Sequence, residues 1–184
     1  MLRFVEYSLF TLRLISIITL FFNFSASAQK PFQNKIGGYQ IIIPAQWTVD
    51  QEDELTIVYA PDEEEMDTWR EKLEISITDA IDLTLEDAFN YYVHDDLPTI
   101  YNGLKIIRQG EEDINGLKAK WVLFSFSGSG TLGTTEVSFT LHNLFYLVLK
   151  DNKLYMLNGI AEKDYFQKLE SDYLKIVRSF QVNK

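Results

Sequence analysis

From Leu104 to Ala161 the chain runs through four β-rich segments, Leu104–Asp113, Leu117–Ser127, Glu136–Lys150 and Lys153–Ala161, with links of three, eight and two residues. Parallel pairing of consecutive strands needs a crossover of a dozen or more residues, so these segments must pair antiparallel. Asn115-Gly116 supplies the positive φ angles of a type I′ turn, which predicts a hairpin flanked by Ile114 and Leu117. Asp151-Asn152 joins the last two segments as tightly. In the third segment Val137, Phe139, Leu141, Phe145, Leu147 and Leu149 share one face, and Ser138, Thr140 and His142 begin the other as polar residues. Alternation of that kind predicts one core face.

The rest of the chain supplies something to cover that sheet. Tyr39–Ile43 is a β-branched run stopped by Pro44, Trp47 sits in a turn, and Leu55–Tyr59 and Lys72–Thr78 read as two further strands of a small antiparallel meander. Thr84 stands as an N-cap, with Glu86 and Asp87 in the first turn where the helix dipole favours negative charge. Leu85, Ala88, Phe89, Tyr92, Val93 and Leu97 then form one apolar stripe, and Pro98 is expected to end the helix. A closing helix is expected from Asp164, which with Gln167 resembles a capping box, through Phe166, Leu169, Tyr173, Ile176, Val177 and Phe180. The sum is an α+β fold: an αβα sandwich whose central sheet is mainly antiparallel.

Residues 1–28 read as an export signal. Arg3 and Arg13 flank a basic start, Leu14–Phe24 is almost wholly apolar, and Ala26-Ser27-Ala28 offers small residues at the cleavage positions. The apolar run is too short to cross about 30 Å of hydrocarbon as a helix. The expected exported chain, periplasmic or secreted, has a flexible lead-in over residues 29–36, where Pro31 falls, and a single domain over 37–184. Without Arg3, Arg13 and Glu6 the net charge of −10 becomes −11. A surface of that sign disfavours nucleic acid and anionic membranes as partners. The chain has no cysteine, which removes disulfides, thiolate catalysis and a lipoprotein anchor, and leaves stability to the core.

Four stretches, taken in order, resemble the PsbP-like superfamily, whose relatives include DcrB-type bacterial domains and the Ran-binding Mog proteins. They are Tyr39-x-Ile41-x-x-Pro44-x-x-Trp47, Leu83-Thr84-Leu85-Glu86-Asp87-Ala88, Ile114-Asn115-Gly116-Leu117-Lys118-Ala119 and Ile176-Val177-x-Ser179-Phe180. The resemblance implies an αβα sandwich and an accessory, assembly or protein-binding role, with no shared catalytic site to carry over. It departs from the DcrB-like branch, which is often lipid-anchored, and from the Mog branch, which works inside the cell.

Chemistry-bearing motifs are sparse. Gly128-Ser129-Gly130-Thr131-Leu132-Gly133 has the spacing of a dinucleotide-binding loop, but β-rich residues follow it, so no helix N-terminus is available for a pyrophosphate. It reads as a flexible hairpin loop able to order on a partner. Asp62, Glu63, Glu64, Glu65 and Asp67 form an acidic loop without the calcium-binding pattern, and Trp69 beside it reads either as a core or partly buried tryptophan or as the mark of a candidate partner surface. His94-Asp95-Asp96 reads as a solvated helix end and His142 as a surface histidine on a strand. Ser125, Ser127 and Ser129 lack the sharp strand-to-helix turn of a nucleophile elbow.

The sequence therefore predicts an exported, non-enzymatic accessory or protein-interaction module without a cofactor or metal. Its candidate interaction residues are Asp62, Glu63, Glu64, Glu65, Trp69, Gly128, Gly130 and Gly133. Two alternatives stand beside it: a small hydrolytic or metal-dependent enzyme using His94 or His142, and a binder of an apolar small molecule between sheet and helix.

Overall fold

Two left-handed turns frame the central sheet. Asn115 and Gly116 take φ of 52° and 84°, and Asp151 and Asn152 take 52° and 59°, the angles that a two-residue hairpin demands. The computed structural model describes residues 29–61, 70–101, 103–132 and 135–183, and the leader expected over residues 1–28 lies outside them. Among the described residues are strands β1 (Lys30–Asn34), β2 (Tyr39–Ile43), β3 (Thr48–Glu52), β4 (Leu55–Tyr59) and β5 (Lys72–Asp79). Then come β6 (Lys105–Ile114), β7 (Leu117–Leu132), β8 (Thr135–Lys150), β9 (Lys153–Glu162) and β10 (Gln181–Val182). The helices are α1 (Leu85–Asn90), which continues as π-helical turns over Tyr91–Asp96, then α2 (Leu97–Ile100), and later α3 (Lys163–Arg178).

Seven strands form the large sheet in the order β3-β4-β5-β9-β8-β7-β6, antiparallel at every pairing. A second sheet, β1-β2-β10, lies apart from it. One face of the large sheet buries Val122, Phe124, Phe145, Leu147 and Leu154 with Ala88, Phe89, Val93 and Leu97 of the α1–α2 region. The other buries Leu123, Leu144, Tyr146, Val148 and Leu157 with Phe166, Tyr173, Ile176 and Val177 of α3, and with Tyr39, Ile41 and Ile43 of the small sheet. The result is the expected α+β sandwich.

Several local expectations change. From Leu144 to Val148 every residue of β8 is buried, because the helices cover both faces of the sheet; the single core face predicted for this strand is replaced by two. The expected lead-in is strand β1, whose Pro31 is tolerated because an edge strand leaves one side without ladder bonds. Asn34 at its end is fully buried, accepts from Gly37 N at 2.7 Å and donates to Thr56 Oγ1 at 3.0 Å, which ties the small sheet to β4. The meander is β3-β4-β5, while β2 belongs to the small sheet.

Thr84 caps α1 as predicted, accepting from Asp87 N at 3.1 Å. Pro98 does not end the helical run. It is the second residue of α2, where the run passes from π to α turns; Leu97 N still donates to Tyr92 O, and Pro98, which has no N–H, drops one bond from the run at that junction. At the other helix Glu162 is the N-cap and makes no side-chain cap bond, so the Asp164–Gln167 capping box does not form; the helix begins too early for Asp164 to be the cap.

Candidate interaction surface

β7 and β8 outrun their neighbours. The pairing of β6 with β7 stops at Lys105–Ser125, and that of β9 with β8 stops at Glu162–Leu141, yet β7 and β8 stay paired from Ser127–Thr140 to Leu132–Thr135. Beyond the body the two strands form a ribbon roughly 20 Å long at about 3.4 Å per residue. Both of its outer edges carry backbone groups without a strand partner among the described residues.

This arm replaces the flexible loop expected at Gly128-Ser129-Gly130. Gly128 and Gly130 are strand residues, paired with Phe139 and Val137, and Gly133 lies outside the described residues. A Cβ on Gly128 would stand 2.7 Å from Phe139 Cζ, so the Phe139 ring lies across the glycine and fills the space a side chain would take. On the opposite face Ser127 and Thr140 hydrogen-bond through their hydroxyls at 2.8 Å, and Ser129 and Ser138 are exposed. Between Ser125 and His142 the only Asp, Glu, Lys or Arg is Glu136. The arm thus lacks the charged side chains that usually guard an open edge.

The acidic stretch Asp62, Glu63, Glu64, Glu65 and its neighbour Trp69 lie outside the described residues. Their flanks do not. Ala60 N donates to Glu71 O at 2.9 Å, and Arg70 reaches Ala60 O and Thr48 Oγ1, each at 3.0 Å, with its guanidinium 4.8 Å from the Tyr59 ring centre. Register carries the row Tyr59, Lys72, Ile160, Asn143, Phe124 across the sheet, one step before Ser125 and His142. The connection from β4 to β5 therefore leaves the sheet at the same end as the arm.

A second concave feature lies between β6 and α3. Two ion pairs of opposite sense cross it, Arg108 with Glu170 and Arg178 with Glu112, the latter at 3.2 Å. Its volume is about 240 Å³, with Trp121, Leu144, Tyr146 and Leu174 among its lining. Gly110 is needed here, since a Cβ would stand 3.0 Å from Trp121 Cζ2. Tyr146 donates to Glu112 at 2.6 Å, and burial, then that carboxylate, pushes its phenol far above the ordinary value. The four charges partner one another, so this cleft closes the edge of the core. None of its residues could be picked out from sequence, because they come from separate elements.

The two histidines do not meet. His142 packs its ring 5.4 Å from Phe166 on the α3 face, while His94 lies 6.3 Å from Phe89 on the α1 side. Burial, aided by Lys163, lowers the His142 pKa. Ser125 is its cross-strand neighbour and the Asp164 charge acts on the imidazole, yet no hydrogen bond joins the three. Among the described residues no group of three or more His, Asp or Glu side chains is placed to hold a metal ion, and no helix is long and apolar enough to cross a membrane.

No family model matches the chain, and no curated protein sequence matches it significantly. Solved structures do. The cyanobacterial PsbP protein of Synechocystis sp. PCC 6803 superposes with a TM-score of 0.60 at 17% identity, over 87% of this chain and 95% of that one. The chain has the PsbP-like fold. LpqN of Mycobacterium tuberculosis, a protein involved in cell envelope biogenesis, gives 0.61 at 10% identity over 85% and 91% of the two chains. The Ran-binding protein Mog1p of Saccharomyces cerevisiae gives 0.54 at 14% identity over 85% and 96%. The shared PsbP-like fold covers nearly the whole described chain, which agrees with the resemblance carried by its four sequence stretches.

Proposed function

We propose that this chain is an exported, non-enzymatic accessory module that binds a protein partner at the end of the sheet from which the β7–β8 arm projects. The observation that carries the reading is the pair of open, nearly uncharged edges on that arm. An extended segment of a partner adds to such an edge through main-chain hydrogen bonds, and alternate side chains set the specificity. Tyr59 and Lys72, between which the sequence holds Asp62, Glu63, Glu64, Glu65 and Trp69, lie at the same end of the sheet, and those residues are proposed as an extension of the surface. Export rests on Arg3, Arg13, the apolar run to Phe24 and Ala26-Ser27-Ala28. The Ran-binding activity of Mog1p is in keeping with a protein-binding use of this fold.

The test places a photo-crosslinking residue at Ser129 on the arm and, as a control, at Lys175 on α3, in the exported fraction of the native host. A single protein adduct at Ser129, absent at Lys175, supports the module. Equal adducts at both positions contradict it. So does turnover of p-nitrophenyl acetate that disappears in both Ser125→Ala and His142→Gln, which would convert the Ser125–His142 pair into a hydrolytic site.

A further inference from the structure

Asn143 stands on β8 with no exposed surface, and neither its Nδ2 nor its Oδ1 has a hydrogen-bond partner. On the adjacent strand, Asn158 has an unpaired Oδ1 as well. A buried amide left unpaired is a net cost to folding, so an apolar side chain would serve a purely structural position better. Two such amides side by side call for a reason.

Register defines their surroundings. On the α1 face one row runs Phe124, Asn143, Ile160, Lys72 across β7, β8, β9 and β5, and the next runs Val122, Phe145, Asn158, Glu74. Asn143 and Asn158 are therefore diagonal neighbours on one face, close enough for one bound group to meet both. Tyr101, which follows α2, lays its ring 4.3 Å from that of Phe126 and 5.6 Å from that of Phe124. Its phenol also feels the charges of Glu74 and Lys72 on β5. The side chain thus reaches from the β7 rings toward β5 over the row that holds Asn143.

The helical cover is irregular at the same place. Tyr91–Asp96 is π-helical, a form that is rare and recurs at functional sites, and Tyr92 places its ring 6.3 Å from that of Phe145. Tyr101 is partly buried and is followed closely by Gly103 at φ +71°, a position that suits glycine.

We propose that Asn143 and Asn158 form the polar end of a small-molecule site on the α1 face of the sheet, uncovered when Tyr101 swings aside. The ligand it fits is a planar, uncharged aromatic amide or lactam. A carboxamide presents a donor beside an acceptor, and the matching partner offers the same two in reverse, as amides and lactams do. The rings of Phe124 and Phe126, against which the Tyr101 ring packs when the site is closed, favour a flat aromatic body in its place, and burial disfavours a charged one. This site is independent of the arm and of any protein partner.

The experiment follows the side-chain amide resonances of ¹⁵N-labelled protein during titration with benzamide, N,N-dimethylbenzamide and toluene. Expected are saturable shifts at Asn143 and Asn158 with benzamide, and binding roughly tenfold weaker for the two probes that lack the donor. Tyr101→Ala tightens benzamide binding, because no ring has to be displaced. Asn143→Leu abolishes it while melting no lower than the parent, which separates a lost site from a lost fold. Should that variant not fold, Asn158→Leu on the less buried partner gives the same readout. The proposal is overturned if benzamide causes no shift up to its solubility limit, or if its binding is unchanged in the leucine variant. It is also overturned if both amides are held by a long-lived structural water that benzamide does not displace.

Discussion

The Tyr146 hydroxyl donates to Glu112 Oε1 at 2.6 Å, reaching from β8 past β7 to the edge strand β6. Glu112 turns its other oxygen to Arg178 Nε at 3.2 Å, so one carboxylate links the sheet's edge to the last turn of α3. The two contacts differ in worth, since the phenol is buried and the guanidinium is largely exposed. Tyr146→Phe is expected to lower the unfolding free energy by about 1–3 kcal/mol. Arg178→Ala should cost under about 1 kcal/mol, because solvent screens the pair. Urea denaturation of both variants decides the matter, and equal losses would show that the ion pair holds the edge.

Burial also sets an alkaline limit. Tyr146 and Tyr173 both have phenols pushed well above their ordinary value, chiefly by burial, with Glu112 and Glu71 respectively adding to it. In the unfolded chain a tyrosine loses its proton near pH 10, whereas the folded state still holds it. Above that pH the unfolded state binds fewer protons, so stability is full below about pH 10 and falls as pH climbs further. The urea midpoint should be level from pH 8 to 9.5 and then drop, with a shallower drop in Tyr173→Phe. A midpoint that stays level to pH 11 would contradict this.

What could be read from the chain alone depended on how local each signal was. Asn115-Gly116, the Thr84 cap and the apolar stripe of α3 are decided within a few residues, and all three stand. Strand β1 was missed because its reason is distant: Asn34 is buried only once Thr56, far along the chain, arrives to accept from it. β3 was missed because every residue in it is exposed, so an edge strand without alternation leaves no period to detect. Gly128 and Gly130 looked like a loop since glycine disfavours strands, and the ring that compensates for Gly128 belongs to Phe139 on the partner strand. Asn143 falls on the face that Leu141, Phe145 and Leu147 mark as core, a polar interruption of that run, and the alternation alone does not say that its amide is left without a partner.

Close approach of α3 to the sheet rests on Gly159. A Cβ there would meet the Tyr173 ring at 2.9 Å, and that ring is fixed by its hydroxyl, which donates to Ile160 O at 2.7 Å. Neither group can yield cheaply, one being strand backbone and the other a fully buried aromatic. Gly159→Ala should therefore destabilise the protein by about 1–3 kcal/mol through overpacking. Pairing it with Tyr173→Leu should recover part of that loss, and strict additivity in thermal or urea melts would rule out the contact as the cause.

The arm should respond differently from the body. At Gly128 the contact is with the tip of Phe139, which can swing away, and no third strand lies beside either residue. Gly128→Ala is thus expected to leave global unfolding within about 0.5 kcal/mol of the parent. Amide exchange should nevertheless quicken across Ser127–Thr140, because the ring that covers the ribbon is displaced and a two-stranded ribbon has little stability to spare. Phe126 gives the contrast. Its ring packs against Tyr101 at the root of the arm and against the α1-side core, so Phe126→Ala should lower global stability by about 2 kcal/mol or more. Hydrogen exchange and urea melts on the two variants separate the cases: faster exchange without a shifted midpoint for Gly128→Ala, and a shifted midpoint for Phe126→Ala. A common shift in both would mean that arm and body unfold as one unit, and the open edges would then be held by more than the ribbon itself.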